Sequence, residues 1–245
     1  MIKLSVQVSY KKQATLGIIG IAILLLVIEI VANVWWVTQI HCEFEQNEIF
    51  QNFNEAEKMV EDYKALVGRA KNVKEQLPKE THDAFYQLVQ YPVEACANLN
   101  EMYVAAGKNG LYRFQNRTST NYYADKTKEL FFKDAEFTTY YHNSVSNGKW
   151  NHMMSQTHMG HTTWSDPAYN KMPAVSYIQS GNNANLGYVV EQGVSRFQWM
   201  HSGLNSHSFS TFDPVNDQNY YVEVFNMGTE KLTYTITTEN DWIQL

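Results

Sequence analysis

With 245 residues the chain is long enough for one or two domains, each with a core of its own. A net charge of −6 and the lack of any Lys/Arg block exclude a phosphate-binding face, so no nucleic-acid partner is expected. Only Cys42 and Cys96 are present, neither in a CxxC pair, which excludes a disulfide-dense scaffold and leaves their redox state open. Aromatics at 14% suit either an aromatic-rich core or surfaces that stack on sugars.

Residues 1–15 read as a cytoplasmic amino terminus ending in Lys11 and Lys12. Residues 16–37 form an apolar run broken only by Gly17, Gly20, Glu29 and Asn33, as long as the roughly 20 residues a bilayer-spanning helix needs. Trp35 and Trp36 end it at an interfacial position, and the flanking lysines orient the rest of the chain outward. The expectation is an uncleaved signal anchor and a single-pass membrane protein whose carboxy-terminal part is extracytoplasmic. Glu29 reads either as an oligomer contact or as one neutral acid tolerated in the span. Residues 38–51 form a juxtamembrane linker.

From residue 52 the pattern turns amphipathic. Phe53, Ala56, Met59, Val60, Tyr63, Leu66, Val67, Ala70, Val73 and Leu77 recur at helical steps. Pro78 is expected to end this helix and Thr81 to cap a second one, kinked or restarted at Pro92. Gly107 and Gly110 predict a stop, with a third helix over residues 111–132 and a fourth over 134–145. Short connections then imply an antiparallel helical bundle over 52–148. The sequon Asn116-Arg117-Thr118 falls inside the third helix on this reading.

The segment 149–173 has little periodicity of either kind. It carries Trp150-Asn151-His152-Met153-Met154-Ser155-Gln156-Thr157-His158-Met159-Gly160-His161-Thr162-Thr163-Trp164, closed by Met172-Pro173-Ala174-Val175. So apolar a run should be packed down. Its histidines lack an HExxH frame or a nearby carboxylate pair, so packed, hydrogen-bonded rings are expected rather than a metal site, and no cofactor is expected. No nucleophile elbow or phosphate loop is visible, and isolated acids such as Asp166 or Glu191 cannot be paired as glycosidase carboxylates. Trp150, His152, His158 and Trp164 are the candidates for lining a sugar cleft or serving as a domain strap. Beyond Pro173, residues 174–179, 186–191, 220–225 and 231–237 are rich in Val, Ile, Tyr and Thr and predict four strands, the last two joined by a loop at 226–230. They read as a partial β-sandwich over 174–245. Trp199 and Trp242 read as core aromatics or as sugar platforms. The expected fold class is therefore α+β multidomain: an N-terminal transmembrane helix, an antiparallel helical bundle and a partial β-sandwich.

The Trp150–Trp164 motif resembles the segment that links the helical and β domains of glycoside hydrolase family 115, the xylan α-1,2-glucuronidases. Asp83-Ala84-Phe85-Tyr86-Gln87-Leu88-Val89, Tyr91-Pro92-Val93-Glu94-Ala95, Ala105-Ala106-Gly107-Lys108-Asn109 and Tyr221-Val222-Glu223-Val224-Phe225-Asn226 also fit that family's pattern. Ser155 and His161 depart from it, standing where relatives carry an acid and an aromatic. The resemblance runs from about residue 54 to the end and implies that catalysis resides in a (β/α)₈ barrel, for which this chain has no repeating strand–helix pattern. No catalytic residue is therefore assigned. The resemblance implies a membrane-anchored accessory fragment acting on glucuronoxylan, not catalytic by itself, whose partners would be xylan-type polysaccharide, a missing catalytic domain or a second copy. The alternative is a non-catalytic surface module that binds carbohydrate or a protein partner.

Overall fold

A computed structural model describes residues 55–190, 215 and 221–238. Three long helices dominate: α1 (Glu55–Gln76), α3 (Tyr91–Phe114) and α4 (Thr120–Asn143), with a one-turn helix α2 (His82–Phe85) before α3. Two strands, β1 (Leu186–Val190) and β2 (Val222–Asn226), pair antiparallel with Gly187 opposite Phe225 and Tyr188 opposite Val224. The chain divides into two compact units, and α3 and α4 each contribute to both.

The first unit, among described residues, comprises 55–104 and 127–173. The α1 helix stops at Gln76 because the residue ahead of Pro78 is driven out of the helical region. Thr81 does not cap α2; its hydroxyl donates to the Pro78 carbonyl at 2.7 Å. Tyr86–Gln90, immediately before Tyr91-Pro92, is a π-helical turn. Proline removes an N–H and crowds the carbonyl four residues back, and a widened turn relieves both, so the chain runs on without a break. Three apolar clusters fill this unit. They are Leu66, Ala70 and Val93; Tyr86, Tyr91, Tyr141 and Val145; and Met102, Leu130 and Met159.

The second unit comprises 105–126, 174–190, 215 and 221–238 among described residues. Contrary to expectation, α3 runs through Gly107 and Gly110. A helical glycine costs only about 1 kcal/mol, which the surrounding helix absorbs. The stop comes at Asn116, left-handed at φ 54. The Arg117 N–H reaches the Tyr112 carbonyl at 3.0 Å and the Asn116 N–H reaches that of Arg113 at 3.1 Å, a Schellman closure. The sequon thus sits on a turn, not within a helix. No breaker separates residues 132 and 134, so the two expected final helices are one continuous α4.

The expected partial β-sandwich is corrected. Among the described residues the only sheet has two strands, and 174–179 and 231–237 are not strands. In 174–178 the backbone finds side-chain partners instead of a neighbouring strand. Asn109 donates to the Ser176 carbonyl and accepts its N–H, both at 2.8 Å, and Asn121 does the same for Ile178 at 3.0 and 2.9 Å. The loop at 226–230 is not a hairpin to a following strand. It is tied back to 181–185 by Met227 N–H to Asn185 O at 2.8 Å and Thr229 N–H to Gly181 O at 3.0 Å.

The expected single-pass membrane organisation finds no counterpart among the described residues, where no helix is long and apolar enough to cross a membrane. The expected span at 16–37, with Glu29, and also Cys42, Glu191, Trp199 and Trp242 lie outside the described residues.

Candidate functional site

The linking segment 149–173 is built by three kinds of attachment. The first is a left-handed turn after α4. Val145 is fully buried and anchors it, and the Ser146 N–H donates to the Asp83 carboxylate at 2.9 Å. Trp150 and Met154 then pack against the Tyr86, Tyr91, Tyr141 and Val145 cluster, where mutually tilted tyrosine rings lie 4.8–6.4 Å apart. Such aromatic pairs add about 0.5–1.5 kcal/mol beyond their burial.

The second attachment is polar. The Met154 N–H donates to His142 Nε2 at 3.0 Å. His158 Nδ1 meets the buried Asp134 carboxylate at 3.0 Å, and the same ring is hydrogen-bonded to the Met154 backbone. The bond to Asp134 raises the His158 pKa against the opposing effect of burial. Held by the buried Asp134 carboxylate, the imidazole acts as a clamp that fixes this part of the segment to α4.

Third, Met159 inserts between Met102 and Leu130 and is almost wholly buried. The neck of the loop that follows is closed by Asn170, whose amide oxygen accepts the His158 N–H at 2.6 Å and the Met159 N–H at 3.1 Å. The Lys171 N–H adds a bond to the Met159 carbonyl at 3.3 Å. Gly160 turns the chain at φ +91, and a Cβ there would stand 2.7 Å from Lys171 Cβ, so both conformation and space call for glycine.

The four candidate residues are therefore dispersed in role. Trp150 packs on the tyrosine cluster and His158 is held by Asp134. His152 is exposed in a left-handed conformation at φ 68, its ring centroid 6.1 Å from that of His142. Trp164 is fully exposed at the loop tip. Asp166 pairs with His161 at 3.1 Å on the surface. Among the described residues no group of three or more His, Cys, Asp or Glu is placed to hold a metal ion. Sequence reasoning missed Asp134, 24 positions from His158, and no local signal marks that pairing.

Sequence reasoning also missed a second centre, around Arg117. Its guanidinium makes a two-pronged ion pair with Glu223, donates to Gln115, and lies between the Tyr112 and Phe225 rings at 4.2 and 3.9 Å from their centroids. Burial, with the nearby Glu223 charge, pushes the Tyr112 hydroxyl up to about 12, so Tyr112 stays neutral beneath the cation. Gly187 opposite Phe225 leaves room for that ring, and a Cβ at Gly187 would fall inside it.

The His158–Asp134 clamp makes stability depend on pH. Because the folded pKa is raised, the contribution is fully present below the unfolded value of about 6.5 and is lost as pH rises through the folded value. The thermal midpoint of the native chain should exceed that of His158→Gln at acidic pH, with the gap narrowing toward alkaline pH. A gap that is constant with pH would show that the pair is not titrating.

No protein-family model matches this sequence, and no curated protein matches it.

Proposed function

We propose that this chain is a non-catalytic accessory part of a glycoside hydrolase of the family 115 type, a scaffold for a glucuronoxylan-active assembly rather than its reaction centre. One observation supports the reading above the others. The chemically capable side chains at the centre of the Trp150–Trp164 motif are consumed in fastening it: His158 is clamped by Asp134, and Met159 is buried with Met102 and Leu130. A motif used this way holds a segment in place and offers no acid–base pair across a glycosidic bond, which needs carboxyl groups about 5–9.5 Å apart.

The test is release of uronic acid from glucuronoxylan by the purified chain. No turnover is expected, and turnover lost on a single acidic substitution would overturn the proposal. A second reading, a carbohydrate-binding module, draws on the fully exposed Trp164 indole at the tip of a loop closed at its neck. An apolar ring held on such a loop can stack on a sugar at little ordering cost. In the same glucuronoxylan, retardation on affinity electrophoresis that Trp164→Ala abolishes would favour this second reading.

A further inference from the structure

Two Asn-Gly pairs occur in the chain, Asn109-Gly110 and Asn147-Gly148. In such a pair the backbone nitrogen of the glycine can reach the asparagine side-chain carbonyl, because no Cβ hinders its approach. The two settings are opposites. Asn109 lies within α3 and is almost wholly buried; its amide donates to the Thr120 and Ser176 carbonyls at 2.8 Å and accepts the Ser176 N–H. Asn147 is exposed, in the turn between α4 and the linking segment. Ser146, Asn147 and Gly148 are consecutive left-handed residues at φ 51, 56 and 78. For serine and asparagine that conformation costs roughly 1–2 kcal/mol per residue.

We propose that Asn147 is a self-modification site, deamidating through a succinimide within the folded protein while Asn109 is protected. The Gly148 nitrogen attacks Asn147 Cγ and forms a C–N bond. The side-chain nitrogen leaves with the displaced proton as ammonia. Water then opens the five-membered ring at either carbonyl, giving aspartate or isoaspartate, and no other reactant is needed. Cyclisation requires rotation about the Asn147 ψ from its value of 39°, and leaving a strained turn offsets part of that cost. The product carries a carboxylate one residue from the Ser146 N–H that Asp83 accepts at 2.9 Å. Isoaspartate also adds a backbone carbon to the turn that sets the entry of the linking segment.

The test is peptide mapping of the full chain after incubation in mildly alkaline buffer, native and urea-unfolded, following amide-to-acid conversion at both asparagines. Native Asn147 should convert within about tenfold of its unfolded rate, and native Asn109 should be slowed by roughly 100-fold or more, because it must wait for local opening. Equal slowing at the two positions, equal speed at both, or no conversion at Asn147 in the native chain would overturn the proposal.

Discussion

Arg117→Met should lower folding stability by about 3 kcal/mol, the lower end of the cost of removing one partner from a buried ion pair. Arg117 is 3% exposed, whereas the Glu223 side chain is 43% exposed, so the carboxylate left behind recovers part of its hydration. The remaining loss comes from the cation held between two aromatic faces and from Gln115, which is left without its donor. Glu223→Gln should cost less, about 1 kcal/mol, since the neutral amide still accepts hydrogen bonds and its surroundings remain partly wet. Urea titration of both variants, followed by circular dichroism, orders the two effects. An Arg117→Met variant as stable as the parent would show that the guanidinium is replaceable filler. Arg117→Lys should not rescue the site, because an ammonium can neither reproduce the two-pronged bond nor lie flat between rings.

The second large effect falls on Met159 rather than on the more conspicuous tryptophan of its motif. Met159→Ala empties a site between Met102 and Leu130 and should cost about 3 kcal/mol. Trp164→Ala removes an indole that is 106% exposed and should stay within about 0.5 kcal/mol of the parent. Thermal unfolding of the two variants side by side decides the matter. Equal losses would mean that the loop tip is packed on something after all.

Much of the helical part was legible because its signal is local. Ala56, Tyr63, Leu66 and Ala70, picked out by periodicity, are the buried residues of α1. Pro78 and Pro92 marked real perturbations of the chain, although the second produced a π-helical turn rather than a break. Glycine misled at Gly107 and Gly110, where about 1 kcal/mol of propensity is weak beside helix packing. The true stop lay in the ability of Asn116 to take a left-handed φ, a signal easily passed over next to two glycines.

The β region was less legible for a different reason. Strand composition reports fitness for a pleated surface, not the identity of the partner. Residues 186–190 and 222–226 found each other, whereas 174–179, of similar composition, was met by amides from two helices. The linking motif followed the same division. Its Trp, Met and His content predicted packing throughout, and this holds for Trp150, Met154 and Met159 but not for His152, Met153 and Trp164, which are exposed. That Asp134 holds His158, and that Asn170 closes the loop neck, depends on residues brought together by folding.

The paired amides of Asn109 and Asn121 act as a ruler. They grip Ser176 and Ile178, two positions apart along an extended chain, so the grips are spaced by one pleat repeat of about 6.6 Å. Tyr177, between them, is more exposed, and its hydroxyl donates to Asp125, one helical turn beyond Asn121 on α4. The helix pair therefore dictates which residues of an otherwise irregular stretch turn inward, a selection that sheets usually make for themselves. A slip of one residue would exchange Tyr177 with its neighbours and discard all four amide bonds together, so this stretch has a single admissible frame although it belongs to no sheet.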